Sequence, residues 1–172
     1  MEKEEIASLL IHSIPNDVNI NQVEVLESAI LLLADVINQF NNDKMIIDAT
    51  KGMLLCEINL FGQGRYFQLY ALKNNFEKGT NRISKDRLTT IFIHSIPSGV
   101  SKGNALNGIV LFLALLIYQC KNSRELVPAV LRLLDIEIDR FKKGYNGRMN
   151  EPLITGCKPK DVTLPKPKNW PE

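Results

Sequence analysis

The sequence predicts a single all-α domain, a bundle of six to seven helices built from two tandem copies of a three-helix unit. Three observations lead to this prediction. The pentapeptide at 11–15 recurs 82 residues further on, at 93–97. Apolar residues recur at three- and four-residue steps, which is the period of an amphipathic helix. The 172 residues, of which 45% are hydrophobic and 23% charged, suffice for one domain with a buried core.

The repetition extends well beyond the pentapeptide. Between residues 29 and 65, twelve of 37 positions are identical to the position 80 residues further on. Ordinary residue usage gives about two or three such identities. We therefore predict copies at 4–65 and 86–145 within a domain of residues 1–149. A pseudo-twofold axis is expected between them, because apolar stripes that share an ancestor remain complementary to each other.

Each copy divides into three helices with recognisable ends. Ile-Pro ends the first helix, because the residue before a proline is driven out of the α region. Ser84 is the predicted N-cap of the first helix in the second copy. Glycines stop the third helices, Gly62 and Gly64 in one copy and Gly144 and Gly147 in the other. The predicted helices span about 3–12, 21–41 and 44–61, then a linker helix at 66–76, and then 84–94, 104–121 and 124–142.

The helix predicted at 104–121 is apolar on nearly every side, which predicts that it is the central helix of the bundle. The segment 150–172 has the opposite character. Its prolines exclude helix and its lysines make it basic, so we expect an extended tail. Trp170, near the end of that tail, is a residue type that often anchors a protein partner.

Cysteine usage and hydropathy indicate a cytoplasmic location and no membrane. Cys56, Cys120 and Cys157 cannot all pair within one chain, and the first two fall in apolar helical stretches where a thiol acts as a small hydrophobe. The longest uninterrupted apolar run, 109–118, is ten residues, about half of a membrane span. The N-terminus also lacks the basic region of a secretion signal.

Charge is distributed unevenly along the chain. Residues 1–50 hold nine acidic residues against Lys3 and Lys44, a net charge of −7, so the remaining residues carry +9 to give the total of +2. An acidic surface favours a protein partner with a basic surface, while the basic remainder allows nucleic acid as an alternative. The residues predicted to bind the protein partner are Glu2, Glu4, Glu5, Asp17, Glu24, Glu27 and Trp170.

The two histidines, His12 and His94, occupy equivalent places in the repeated pentapeptide. If the copies face each other, the imidazoles can line one shared site, as an acid and a base or as metal ligands. No Cys, Asp or Glu stands beside them at metal-ligand spacing. The simpler interpretation is that each imidazole caps the last carbonyls of its helix, while Ser13 and Ser95 hold the turn.

Arg87 precedes His94 by seven residues in the stretch Arg-Leu-Thr-Thr-Ile-Phe-Ile-His. This arrangement resembles the Arg-x(4–6)-His pattern of HEPN-type helical ribonucleases, in which a dimer brings the arginine and the histidine to a scissile phosphate. The resemblance implies an RNA-binding or RNA-cleaving protein that uses Arg87 and His94, with His12 as a further candidate. The first copy has Glu5 at the place of Arg87, so the pattern occurs once.

Other polar positions have a structural interpretation beside a chemical one. Glu57 and Glu137 are matched on the third helices and can form either a pair of acid–base or metal-binding carboxylates or two separate ion-paired acids. Arg140 follows Glu137 by three residues, which is the right spacing for an ion pair. The segment 62–65, Gly-Gln-Gly-Arg, is interpreted as a helix stop, because a phosphate loop needs a preceding strand and a Lys-Ser/Thr.

The sequence contains no convincing nucleophile, metal cluster or phosphate loop. It therefore favours a non-enzymatic protein-binding module, such as a toxin-neutralising immunity protein or an adaptor, that uses no cofactor and acts through its acidic N-terminal surface. One alternative is the HEPN-like RNA-binding or RNA-cleaving protein. The other is a small-molecule-binding protein with an apolar pocket between the two copies. The sequence does not indicate whether the chain is a monomer or an oligomer.

Overall fold

A computed structural model describes residues 1–15, 18–19, 22–70, 81–82, 84–120 and 122–144. In these residues six helices are eleven residues or longer and one has four residues. They are α1 (Lys3–Ser13), α2 (Gln22–Gln39), α3 (Lys44–Gly62), α4 (Phe67–Tyr70), α5 (Lys85–Ser95), α6 (Lys102–Tyr118) and α7 (Ser123–Lys142). In the described residues two strands of two residues each, β1 (Val18–Asn19) and β2 (Asn81–Arg82), pair in parallel. The all-α class is confirmed.

The six long helices lie within three residues of their predicted ends. The linker helix predicted at 66–76 is described only as α4, because residues 71–80 lie outside the described ranges. Predictions for Asp17, Cys157, Trp170 and the tail at 150–172 fall outside the described residues as well.

Polar side chains cap the starts of several helices. The Ser84 hydroxyl accepts a hydrogen bond from the Arg87 backbone N–H at 3.2 Å, as predicted. Ser101 caps α6 in the same way, and the Asp43 carboxylate accepts from the Met45 backbone N–H at 2.8 Å at the start of α3. Each cap satisfies a backbone donor that the helix itself leaves unpaired.

The two pentapeptides end α1 and α5 in the same backbone conformation. Ile14 and Ile96 both have extended backbone, with ψ of 121° in each. The Ser13 hydroxyl donates to the Leu10 carbonyl and the Ser95 hydroxyl to the Phe92 carbonyl, both at 2.7 Å. The predicted role of the two serines in holding the turn is therefore confirmed.

Glycines with positive φ follow the third helices. Gly64 has φ of 84° and Gly144 has φ of 108°, in the region that glycine enters without a steric penalty. Both positions were predicted as helix stops. The interpretation of 62–65 as the end of a helix is confirmed, since α3 ends at Gly62.

Helix α6 is the centre of the bundle. Its residues from 105 to 117 are buried with the exception of Asn107, and α1, α2, α3 and α7 all pack against it. The α1–α6 crossing is especially close, because a Cβ on Gly108 would collide with the Ile6 side chain. Helix α2 lies beside α6 and also packs against α5 and α7. The prediction that this helix is the central one of the bundle is confirmed.

Candidate functional site

Three of the predicted partner-binding residues lie together at the start of α1. Glu2 occupies the N-cap position, and Glu4 and Glu5 are in the first turn. Glu2 and Glu5 are exposed and Glu4 is half-buried. Carboxylates at this place are stabilised by the positive end of the helix dipole. The start of α1 is therefore a local concentration of negative charge.

Glu4 and Glu5 line an open groove of about 480 Å³ between α1 and α4. The apolar part of its wall includes Met1, which is 48% exposed, and Leu69, which is buried. The full lining is Met1, Glu4, Glu5, Ser8, Leu9, Gln68 and Leu69. The groove combines two carboxylates with apolar surface, so it suits a ligand that carries positive charge beside an apolar group. All of its lining comes from α1, α4 and the N-terminus, rather than from both predicted copies.

Glu24 and Glu27 lie elsewhere, on α2 near the start of α5. The Glu27 carboxylate forms an ion pair with the Lys85 ammonium at 3.3 Å. Glu24 is half-buried, and its backbone carbonyl accepts a hydrogen bond from the Ser28 hydroxyl. Neither residue lines the groove. Of the predicted acidic set, the structure thus places Glu4 and Glu5 in one groove and Glu2 at the adjoining helix end.

His12 and His94 are exposed in the last turns of α1 and α5. Within the described ranges no hydrogen bond joins either imidazole to another residue. The last carbonyls of α1 and α5 instead accept hydrogen bonds from the Ser13 and Ser95 hydroxyls and from the backbone N–H groups of Ile14 and Ile96. Among the same residues, no group of three His, Cys, Asp or Glu side chains is placed to hold a metal ion.

Arg87 and His94 lie on one exposed side of α5. Seven residues make nearly two full turns of a helix, so the two side chains start about 10 Å apart along the same face. The backbone N–H of Arg87 is used by the Ser84 cap, while its guanidinium is on an exposed residue. An extended anionic ligand lying along α5 can reach both residues at once.

The matched carboxylates of α3 and α7 belong to two separate ion-paired clusters. Glu57 is only 4% exposed, and its Oε1 accepts from the Lys3 ammonium at 3.2 Å and the Tyr66 hydroxyl at 3.4 Å. Burial opposes the charge on Lys3, but its bonds to Tyr66 and Glu57 outweigh that effect and raise the lysine pKa. Tyr66 itself has φ of 58°, an uncommon conformation for a bulky residue.

Glu137 is also 4% exposed, and its Oε1 accepts a hydrogen bond from the Arg140 guanidinium at 2.9 Å. Burial raises the pKa of Glu137, and this effect exceeds the opposing attraction of Arg140 and Lys85. The Arg140 partner was predicted from its spacing. Lys3 and Tyr66 were missed, because they lie far from Glu57 in sequence or beyond the end of its helix.

The described cysteines differ in environment. Cys120 is buried, its thiol donates to the Leu116 carbonyl at 3.2 Å, and burial raises its pKa to about 12. Cys56 lies on α3 as predicted but is exposed, so the expectation that it acts as a small buried hydrophobe was wrong. The sequence pattern missed this because α3 also has apolar residues, among them Met45 and Leu55, on its outer side.

Comparison of the chain with protein-family models, with curated proteins and with solved structures finds no match. In the part of the chain that the structure describes, no helix is long and apolar enough to cross a membrane.

Proposed function

We propose that this chain is a protein-binding module that uses the groove between α1 and α4 to bind a partner with a basic, partly apolar surface. The observation that carries the proposal is the lining of that groove, in which Glu4 and Glu5 stand beside Met1, Leu9 and Leu69. A lysine or arginine with an adjacent apolar side chain complements this lining. The apolar contacts supply affinity and the carboxylates supply specificity and orientation.

The local charge balance supports the same choice of partner. The start of α1 carries Glu2, Glu4 and Glu5 against two cations, the Met1 ammonium and Lys3, and the Lys3 ammonium is directed to the buried Glu57. The three glutamates are therefore not neutralised by their nearest lysine. Such a surface attracts positively charged partners over a distance comparable to the Debye length, about 8 to 10 Å at physiological salt.

The proposed surface is narrower than the acidic N-terminal third of the sequence. Glu27 is paired with Lys85, so we place partner recognition on α1 and not on α2. Within this proposal the biological role is that of an immunity protein that covers the basic surface of a toxin, or of an adaptor, in the cytoplasm. Both roles need binding alone and no chemistry at the groove.

The packing of the helices is compatible with a proposed pseudo-twofold relation between the copies. On the predicted alignment, α1, α2 and α3 correspond to α5, α6 and α7. The packing of α1 on α6 then has its counterpart in α2 on α5, and the packing of α3 on α6 in α2 on α7. Most packing would thus lie between copies, so that neither copy would bury its apolar faces alone.

Site-specific photo-crosslinking tests the groove as a binding site. A photoreactive residue replaces Gln68, which lines the groove, and the full chain is exposed to a cell lysate at low salt. We expect a crosslinked protein whose yield falls with added salt. The charge reversal Glu5→Lys should lower the yield on the order of tenfold, since it places repulsion where attraction was.

The matched control is Glu125→Lys, which reverses another exposed glutamate in the first turn of a helix, α7. This control should leave the yield unchanged. Equal losses in both variants would show that only the total charge matters. Capture of nucleic acid without any protein would contradict the proposal.

A second function has one observation in its favour, the shared exposed face of Arg87 and His94 on α5. We propose RNA binding or cleavage on that face as the alternative. It requires RNA affinity that falls steeply with salt and cleavage that is lost in His94→Ala. The control is His12→Ala, which removes the equivalent exposed histidine of α1, where Glu5 stands in place of Arg87.

A further inference from the structure

The outer side of α3 carries an exposed apolar stripe. Met45 is 80% exposed and Leu55 is 45% exposed, and they are two of the three large hydrophobic residues that the described part of the chain exposes. Ala49, Gly52 and Cys56 are exposed as well. The positions 45, 49, 52 and 56 follow the three- and four-residue steps of one helix face. We call these five residues, Met45, Ala49, Gly52, Leu55 and Cys56, the α3 stripe.

Helix α7, which matches α3 at an offset of 80, has a different outer side. Its residues at the places of Met45, Gly52 and Leu55 are Glu125, Arg132 and Asp135, all of them exposed. The inner sides are alike, since Leu54 and Phe61 have identical, buried counterparts in Leu134 and Phe141. The core therefore does not explain the apolar stripe, whereas contact with a protein surface does.

We infer that the α3 stripe is the contact by which two copies of this chain form a twofold dimer, with their α3 helices antiparallel. The five members of the stripe are uncharged, but Asp48, which is exposed, lies within the same helix face. The best complement of this face in the described chain is the same face of a second copy, because an antiparallel pair turns the end that carries Asp48 towards the Arg65 end of the other α3. Gly52 and Cys56 are small enough to let two helix backbones approach closely, and Met45 and Leu55 flank them.

The charges at the two ends of α3 fit an antiparallel pair. Asp43, Lys44 and Asp48 are exposed near its N-terminus, with a sum of −1, and Arg65 is exposed just beyond its C-terminus, with +1. A twofold axis passing between Gly52 and Cys56 brings each Arg65 to the acidic end of the other copy. The opposed helix dipoles favour the same arrangement. The α1–α4 groove contributes none of these residues, so the dimer and the proposed groove are independent.

The oligomeric state of the full chain in solution, measured by sedimentation equilibrium, tests the inference. The wild type should be a dimer, and Gly52→Arg should weaken association on the order of tenfold or more, because it buries two charges at the axis. The variant should still fold. A Cβ at position 52 meets no atom within 4 Å, and arginine favours a helix more than glycine does.

The matched control is Gly103→Arg, which makes the same change at an exposed glycine in the first turn of α6 with equally open space around it. This variant should dimerise like the wild type. A circular dichroism melt of each protein verifies that the fold is retained. A monomeric wild type, or a Gly52→Arg protein that associates as strongly as the wild type, overturns the inference.

Crosslinking locates the contact within the dimer. In a Cys157→Ser background, Cys56 is the exposed cysteine and Cys120 is buried, so a short bismaleimide should join Cys56 to Cys56 of the second copy. The link should disappear in Gly52→Arg and persist in Gly103→Arg. A dimer that gives no Cys56 link, or a wild type whose stripe binds lipid vesicles as a monomer, contradicts an α3 interface.

Discussion

Glu57 and Glu137 are buried at corresponding positions of α3 and α7, yet different cations balance them. Glu57 is paired with Lys3, which lies 54 residues away in sequence on α1, at 3.2 Å. Glu137 is paired with Arg140 of its own helix at 2.9 Å, and Lys85 and Glu27 complete its surroundings. The Lys3 side chain remains 32% exposed, whereas that of Arg140 is 4% exposed.

This difference shows that a buried carboxylate needs a neighbouring cation, but that the cation can come from a distant helix or from the same helix. In the α3 cluster, which consists of Glu57, Lys3 and Tyr66, the ion pair joins residues that are far apart in the sequence, because Lys3 lies in the first turn of α1. In the α7 cluster the ion pair is local and the helix itself provides it. Removal of the partner should be more costly where water has less access to the remaining charge.

The largest effect is expected for Arg140→Ala. This change leaves Glu137 buried without its closest cation, which should lower the free energy of unfolding by about 3 to 5 kcal/mol at neutral pH. Urea denaturation followed by circular dichroism measures it. The control is Arg132→Ala, an exposed arginine of the same helix, for which the change should be within about 0.5 kcal/mol. A loss below about 1 kcal/mol in Arg140→Ala would show that the cluster is not desolvated.

A smaller effect is expected for Lys3→Ala, about 1 to 2 kcal/mol. The variant loses the ion pair with Glu57. It also loses the cation–π contact in which the ammonium lies 5.3 Å from the Tyr66 ring centroid. The Tyr66 hydroxyl and water can still solvate the carboxylate. The same denaturation experiment applies, with the exposed Lys44→Ala as control. If Lys3→Ala lowers the free energy of unfolding as much as Arg140→Ala does, the difference in burial between the two ion pairs does not predict the cost of removing the cation.

The smallest effect is a pH dependence of the free energy of unfolding that is caused by Glu137, the buried carboxylate paired with Arg140 on α7. Burial raises the pKa of Glu137 in the folded state above its usual value of 4.5, so the folded protein binds this proton more tightly than the unfolded protein does. The stabilisation from this group is therefore present below the usual pKa and is lost as pH rises through the raised one.

The measurement is the difference in free energy of unfolding between the wild type and Glu137→Gln across acidic and neutral pH. The wild type should lose stability relative to the variant as pH rises above the usual value. The raised pKa of Asp35 affects both proteins equally and cancels in the difference. Asp86 shares Lys85 and Arg140 with Glu137, so the same comparison is also made in an Asp86→Asn background. A difference that is constant, or that changes with the opposite sign, would contradict a raised pKa for Glu137.

The helices and several of their ends could be predicted from sequence because the signals are local. Ile-Pro ends α1 and α5, Gly64 and Gly144 follow α3 and α7, and Ser84 caps α5. The Glu137–Arg140 pair was predictable for the same reason, since residues three apart on a helix are neighbours.

The candidate site could be predicted only in part. The concentration of acidic residues at the start of α1 was visible in the sequence, but its apolar neighbour Leu69 lies on a different helix, 65 residues after Glu4. The exposure of Cys56 and the α3 stripe was missed for a related reason. When a helix is apolar on most of its surface, hydrophobic periodicity does not tell its inner side from its outer side.

By itself, the sequence determined the helical class, the positions of the six long helices and the central place of α6, because helix period, capping and chain breaks depend on residues within a few positions of one another. Only the tertiary structure decided that Glu27 is held by Lys85, that Glu57 is held by Lys3, and that α1 and α4 enclose a groove. Those features depend on which helix faces meet. That choice is made by packing between residues far apart in the chain, which no local pattern records.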